Sequence, residues 1–170
     1  TAQLSSAVAL RPAIDSLVAH VGEGVKNVYF LGAGGSYAEM MPYALLLQTK
    51  STLPGTAAIA QEFMLAPDTA FGEGSLAVFV SATGSTPDVN KAIEWAKSKG
   101  AVTVGFTGEA ESPFARALDH VFLSSAHSYD IQLLLLVTGL LRARGEFADH
   151  DRFADQLALL PALMVDVAKR

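Results

Sequence analysis

The sequence predicts an α/β fold: a doubly wound, three-layer arrangement with a parallel sheet between helices. Three observations predict it. Short apolar runs alternate with segments of helical periodicity along the chain. The clearest runs, residues 28–31 and 76–80, are continuously apolar, as strands covered on both faces are. Each of these two runs also opens directly into a turn rich in glycine and hydroxyl residues. These turns are Gly32-Ala33-Gly34-Gly35-Ser36 and Ser81-Ala82-Thr83-Gly84-Ser85-Thr86.

The elements follow in order. Leu4, Val8, Leu10, Ile14, Leu17, Val18 and Val21 recur at helical spacing, which predicts one amphipathic helix over 5–21, stopped by Gly22-Glu23-Gly24. After the strand at 28–31, residues 36–50 read as a helix, with Pro42 introducing a kink or local irregularity. Residues 56–59 form a second strand, and 61–65 a short helix ended by Pro67. Beyond the strand at 76–80, Thr86 is placed as an N-cap, Pro87 in the first helical turn and Asp88 beside the helix dipole. That helix runs to about 98 and stops at Gly100. Residues 101–106 are the next strand. Ser112-Pro113 repeats the cap-then-proline signature for a helix to about 118, and 121–123 is the last strand. A very apolar helix over 128–144 follows. A final one from about Asp151 carries Phe153, Leu157, Leu160, Met164 and Val167 on one stripe, interrupted at Pro161.

Composition sets bounds on function. At 170 residues the chain is long enough for one domain with a real core. A net charge of -5 with scattered basic residues argues against general nucleic-acid binding. The absence of cysteine excludes disulfide and thiolate chemistry. The most apolar stretch, 131–141, falls short of the roughly 20 residues that span a bilayer, so a cytoplasmic protein without membrane contact is expected.

The two turns carry the functional signal. Glycine lets the backbone bend sharply and approach a ligand. The N–H groups of the following helix start favour an anion, and Ser and Thr hydroxyls can complete the cradle. Two such turns at strand carboxyl ends, where ligands of open α/β sheets bind, predict a pocket for a small phosphorylated molecule. Its residues are Gly34, Gly35 and Ser36 from the first turn and Ser81, Thr83, Gly84, Ser85 and Thr86 from the second.

Other signatures fail. The third glycine of a nicotinamide-binding G-x-G-x-x-G falls on Tyr37, and no Gly-Lys-Ser/Thr or Gly-x-Ser-x-Gly occurs. No cofactor is called for. His20, His120, His127 and His150 lack metal-ligand spacing, so no metal is expected. His20 and His150 are expected to face solvent, and His120 beside Asp119 to mark a strand edge. His127, in Ser124-Ser125-Ala126-His127-Ser128, is expected to open and cap a helix. Glu62 has two readings: a base or sugar-orienting carboxylate, or a helix-start charge beside the dipole.

With these residues in place, the chain resembles the SIS (sugar isomerase) family. Its Gly-x-Gly-x-Ser and Ser-x-Ser/Thr-Gly-x-Thr turns read here as Gly32 to Ser36 and Ser81 to Thr86. The likeness extends through Gln61-Glu62-Phe63, Phe106-Thr107, Glu111-Ser112-Pro113 and Leu133-Leu134-Leu135-Leu136. The resemblance implies five parallel strands in a flavodoxin-like sandwich. It also implies that Ser36, Ser81, Thr83 and Thr86 contact a sugar phosphate. Within the family, the chain looks most like the amino-terminal half of two-SIS proteins. These are the isomerase part of glucosamine-6-phosphate synthase and, more closely, fructoselysine-6-phosphate deglycase-type enzymes.

Such proteins carry a Glu-x-x-His-Gly-Pro type segment in a second SIS domain, and nothing in this chain matches it. The expectation is therefore a trimmed amino-terminal half, with residues 1–150 as the phosphosugar-binding domain and 151–170 resembling a connector. Its expected ligand is a phosphorylated sugar or sugar–amine adduct, Glu62 is its one candidate base, and its catalysis is weak at best. The alternative is a non-catalytic phosphosugar sensor of a transcriptional regulator. The terminal helix and the apolar helix at 131–141 are expected to offer apolar surface to a partner, giving a homodimer.

Overall fold

The structure, a computed structural model, describes residues 2–124 and 129–168. In chain order its elements are α1 (Ala2–Val8), α2 (Arg11–Val21), a 3₁₀ turn (Gly22–Gly24), β1 (Asn27–Gly32), α3 (Gly34–Lys50), β2 (Gly55–Ile59), α4 (Ala60–Leu65), β3 (Ser75–Val80), α5 (Pro87–Ser98), β4 (Val102–Thr107), α6 (Pro113–Ala117), β5 (His120–Leu123), α7 (Asp130–Ala143), α8 (His150–Ala158) and α9 (Leu160–Ala168). They group into two units, residues 24–123 and residues 1–23 with 124–170.

Residues 24–123 hold the sheet, ordered β2-β1-β3-β4-β5 and parallel throughout. β1 and β3 are buried along their whole length, which explains their unbroken apolar runs. Alternate residues face opposite layers. Tyr29, Leu31, Ala77 and Phe79 pack with Phe63 of α4, Val89, Ala92 and Ile93 of α5 and Phe114 of α6. On the other face α3 lies over β1 and β2. There Gly32 and Gly55 leave room for Met40 and Leu47: a Cβ at either glycine would stand 2.7 or 2.8 Å from those side chains. The predicted doubly wound α/β fold with five parallel strands is what the chain adopts.

An aromatic cluster fixes α4 and α5 on this sheet. Phe63 sits 5.2 Å from Tyr29 and 5.9 Å from Trp95, and Phe71 stacks on Trp95 at 5.1 Å. Burial, reinforced by a hydrogen bond to Asp68, pushes the Tyr29 phenol well above its ordinary range.

The second unit is helical. α7 packs with α1, α2 and α8 and is buried on nearly every side, including Leu133, Leu136 and Val137. This corrects the expectation that 131–141 is left uncovered. Apolar exposure falls instead on Leu159, Leu163, Met164 and Val167. Arg11 ties α2 to α8 through Asp155 at 2.6 Å and Asp151 at 3.2 Å. The hydrogen bond to Asp155 is the main cause raising its pKa, against some desolvation.

Three further expectations change. The single helix over 5–21 breaks into α1 and α2, because Pro12 has no N–H for the Val8 carbonyl and its ring crowds that turn. Leu10 N–H turns back to Ala7 O at 3.2 Å instead. The terminal helix splits at Leu159, where Pro161 imposes the same loss of a donor. His150, expected at the surface, is buried at 1% exposure, edge-on to Phe147 at 6.0 Å. His127, with Ser125, Ala126 and Ser128, lies outside the described residues. Among the described residues no helix is long and apolar enough to cross a membrane.

Candidate functional site

β1 and β3 are parallel neighbours, with Phe30 opposite Val78, so their carboxyl ends meet at one edge of the sheet. The strand order reverses between them. The two turns predicted as a pocket therefore adjoin at the topological switch point.

The first turn is open. Ala33 is extended, α3 begins at Gly34, and no side chain caps it. Gly34 has a φ of +54°, in the left-handed region. Among the described residues, a Cβ at Gly34 or Gly35 would meet nothing within 4 Å. Both glycines are exposed and Ser36 is half-buried.

The second turn is braced. Ser81 is buried, and its Oγ accepts the Gly84 N–H at 3.0 Å. Gly84 has a φ of +61°, and a Cβ there would lie 2.2 Å from Ser112 Oγ. Its carbonyl accepts the Phe114 N–H at 3.2 Å and the Asn90 side-chain amide at 3.4 Å. Ser112 is itself fixed, donating to Glu109 O at 2.6 Å and capping α6 by accepting the Ala115 N–H at 3.1 Å. Thr83, Ser85 and Thr86 are exposed, with Thr83 Oγ1 and Ser85 Oγ 2.9 Å apart. Thr86 occupies the N-cap position of α5 but makes no side-chain capping bond, so its hydroxyl is not spent on the helix.

Neither turn contains lysine or arginine. An anion here would meet backbone N–H groups, hydroxyls and the positive ends of α3 and α5. Glu62 lies exposed in the first turn of α4. β2, which leads into α4, pairs its last residue Ile59 with Gly32, so Glu62 belongs to the same edge of the sheet. Among the described residues no group of three His, Asp or Glu could hold a metal ion. Reading the sequence missed Asn90 and the part that Ser112 and Phe114 play beneath Gly84. They come from other elements and carry no local signature of that role.

The SIS domain family model matches residues 24–138. The chain belongs to the SIS domain family. It is 34% identical over 101 residues to fructosamine deglycase FrlB of Bacillus subtilis, covering 59% of this chain and 31% of that protein. It is 29% identical over 161 residues to a glutamine–fructose-6-phosphate aminotransferase (isomerizing) of Pyrobaculum aerophilum, covering 87% of this chain and 26% of the relative. The chain thus spans about a third or less of these relatives' length. A crystal structure from Bacillus subtilis, of a protein called a phosphosugar isomerase, superposes with a TM-score of 0.80 at 26% identity. That match covers 99% of this SIS chain and 54% of the other.

Proposed function

We propose that this SIS domain binds a phosphorylated sugar, or a sugar–amine adduct bearing a phosphate, as part of an aldose–ketose isomerase or deglycase-type protein. The observation that carries this reading is the meeting of two hydroxyl-rich turns at the switch point of the sheet. Thr83, Ser85 and Thr86 offer exposed hydroxyls to the phosphate. Gly34, Gly35 and Ser36 approach from the first turn. Ser81 holds the Gly84 N–H as an acceptor and can donate its own proton onward. The names of the relatives, a fructosamine deglycase and an isomerizing aminotransferase, support sugar-phosphate chemistry.

Glu62 is the candidate base. A carboxylate can remove the proton beside a sugar carbonyl or imine, leaving an enol or enamine. Returning the proton to the neighbouring carbon isomerises the sugar. Hydrolysis of the imine of a sugar–amine adduct releases amine and sugar phosphate.

Binding is tested by titrating glucose 6-phosphate against the wild type and a Thr83→Ala/Thr86→Ala double variant. Loss of two hydroxyl contacts to a charged group is expected to weaken affinity at least about tenfold. Equal affinity rejects the assignment. For the base, fructose 6-phosphate in deuterated water should exchange its C1 proton with the wild type and not with Glu62→Gln.

A further inference from the structure

We infer that Asn90 is a positioning residue for phosphate recognition, acting through the Gly84 carbonyl and not by touching the ligand. The inference rests on the phosphosugar reading above. Its basis is how the Gly84–Ser85 peptide is held. Two donors converge on the Gly84 carbonyl: the Phe114 N–H from the start of α6 and the Asn90 amide from the first turn of α5. The Gly84 N–H is taken by Ser81 Oγ. No peptide bond among the described residues is cis, so the Ser85 N–H points opposite to the Gly84 C=O. Drawing that carbonyl toward α5 and α6 therefore turns the Ser85 N–H to the other side of the turn. Thr83 and Ser85 stand on that side. The Ser85 N–H reaches Thr83 Oγ1 at 3.4 Å in an exposed bond that an anion oxygen can displace, whereas the equally long Asn90–Gly84 bond is part-buried and shielded from water.

Asn90 also has a feature that stability does not explain. Its Oδ1 is buried and has no hydrogen-bond partner among the described residues. A buried unpartnered acceptor opposes folding. Leucine has the same number and branching of side-chain heavy atoms and removes it. An asparagine that only filled space would be a poor choice, whereas one that must donate to Gly84 O accepts this cost. The Phe114 N–H holds the same oxygen from α6 at 3.2 Å, and Asn90 adds a second donor at 3.4 Å from α5, the helix that the turn leads into.

The test uses Asn90→Leu and Asn90→Asp. Aspartate keeps the shape and loses the donor. Each is measured by glucose 6-phosphate titration, thermal unfolding and ¹H–¹⁵N correlation spectra. Asn90→Leu is expected to unfold at or above the wild-type temperature, yet bind glucose 6-phosphate about fivefold more weakly. In the ligand-free spectrum the Ser85 amide resonance should move, while those of β1 and β3 stay in place. A purely structural role would move stability and leave the Ser85 amide where it is. Wild-type affinity in Asn90→Leu, with the wild type binding, overturns the role of Asn90 and leaves the proposed function standing. No glucose 6-phosphate binding by the wild type overturns the proposed function, and with it this role.

Discussion

The two glycine turns look alike in the sequence and are built in opposite ways. The first, at the end of β1, is open among the described residues: none of them stands where a Cβ of Gly34 or Gly35 would go. The second, at the end of β3, is held from below. Ser81, Asn90, Ser112 and Phe114 all contact Gly84, and every polar group of its backbone is taken. One turn is shaped by what it leaves empty, the other by what presses on it. The same residue type therefore answers two demands. Gly84 is required by both its backbone and its packing, whereas Gly34 is called for by its left-handed backbone alone and Gly35 by neither.

The largest expected effect separates the turns directly. Gly84→Ala forces a side chain into a left-handed backbone and against Ser112, whose Oγ would be 2.2 Å from the new Cβ. The two costs, about 1–2 kcal/mol for the backbone and about 1–3 for overpacking, add to about 2–5 kcal/mol. Gly34→Ala meets only the backbone cost, about 1–2 kcal/mol. Urea unfolding of the two variants checks the order. Equal losses would mean that the packing beneath Gly84 is loose, and the contrast between the turns would fail.

Much of this was legible locally. The cap-and-proline pair Ser112-Pro113 announces α6, and Ser112 does cap it. The continuous apolar runs mark the two central strands, and the predicted limits fall within one residue or so of β1 and β3. What failed depended on distant partners. His150 lies among acidic and basic residues in Asp149-His150-Asp151-Arg152 and reads as surface, but packing of α8 against α7 buries it. The apolar helix at 131–141 looked in need of a partner because its covering, α1 and α2, lies more than a hundred residues earlier. Thr86 was readable as a cap by position, but whether its hydroxyl bonds inward depends on the turn's exact torsion. The brace under Gly84 joins residues up to thirty apart, which no local pattern encodes.

A smaller effect is expected at the other end of the sheet, and it sharpens the contrast by serving as its control. Asp119, just before β5, accepts the Thr103 N–H at 3.0 Å and hydroxyl at 2.8 Å, and pairs with Lys97 at 2.9 Å. Burial pushes its pKa up, but the bonds from Lys97 and Thr103 outweigh this and hold it below the ordinary carboxylate value. A carboxyl with a depressed folded pKa stabilises above its unfolded pKa and loses that contribution as pH falls through the folded one. Asp119→Asn should therefore cost about 1 kcal/mol near neutral pH, allowing for solvent screening. The gap to wild type should close as pH drops below the unfolded aspartate value, about 3.9. Urea midpoints measured from pH 7 down to pH 2.5 check the sign. Glucose 6-phosphate affinity at pH 7 should be unchanged. A change there would show that destabilisation alone weakens binding, and effects at the turns could no longer be read as local.

The smallest expected effect is the most informative about the first turn. Gly35 lies in the first helical turn of α3, has no positive φ, and no described residue comes within 4 Å of its Cβ position. Neither backbone conformation nor packing calls for glycine there. Alanine is the better helix former, so Gly35→Ala should raise stability by about 0.5 kcal/mol, less than the full mid-helix difference. If a phosphosugar comes close to this backbone, the added methyl occupies its space. The same variant should then bind glucose 6-phosphate more weakly while unfolding at a higher urea concentration. Destabilisation loses the first half of that expectation, and unchanged affinity the second. Opposite signs in the two measurements are hard to obtain from a structural glycine. They follow directly from a position kept bare for a ligand, which is how the first turn differs from the second.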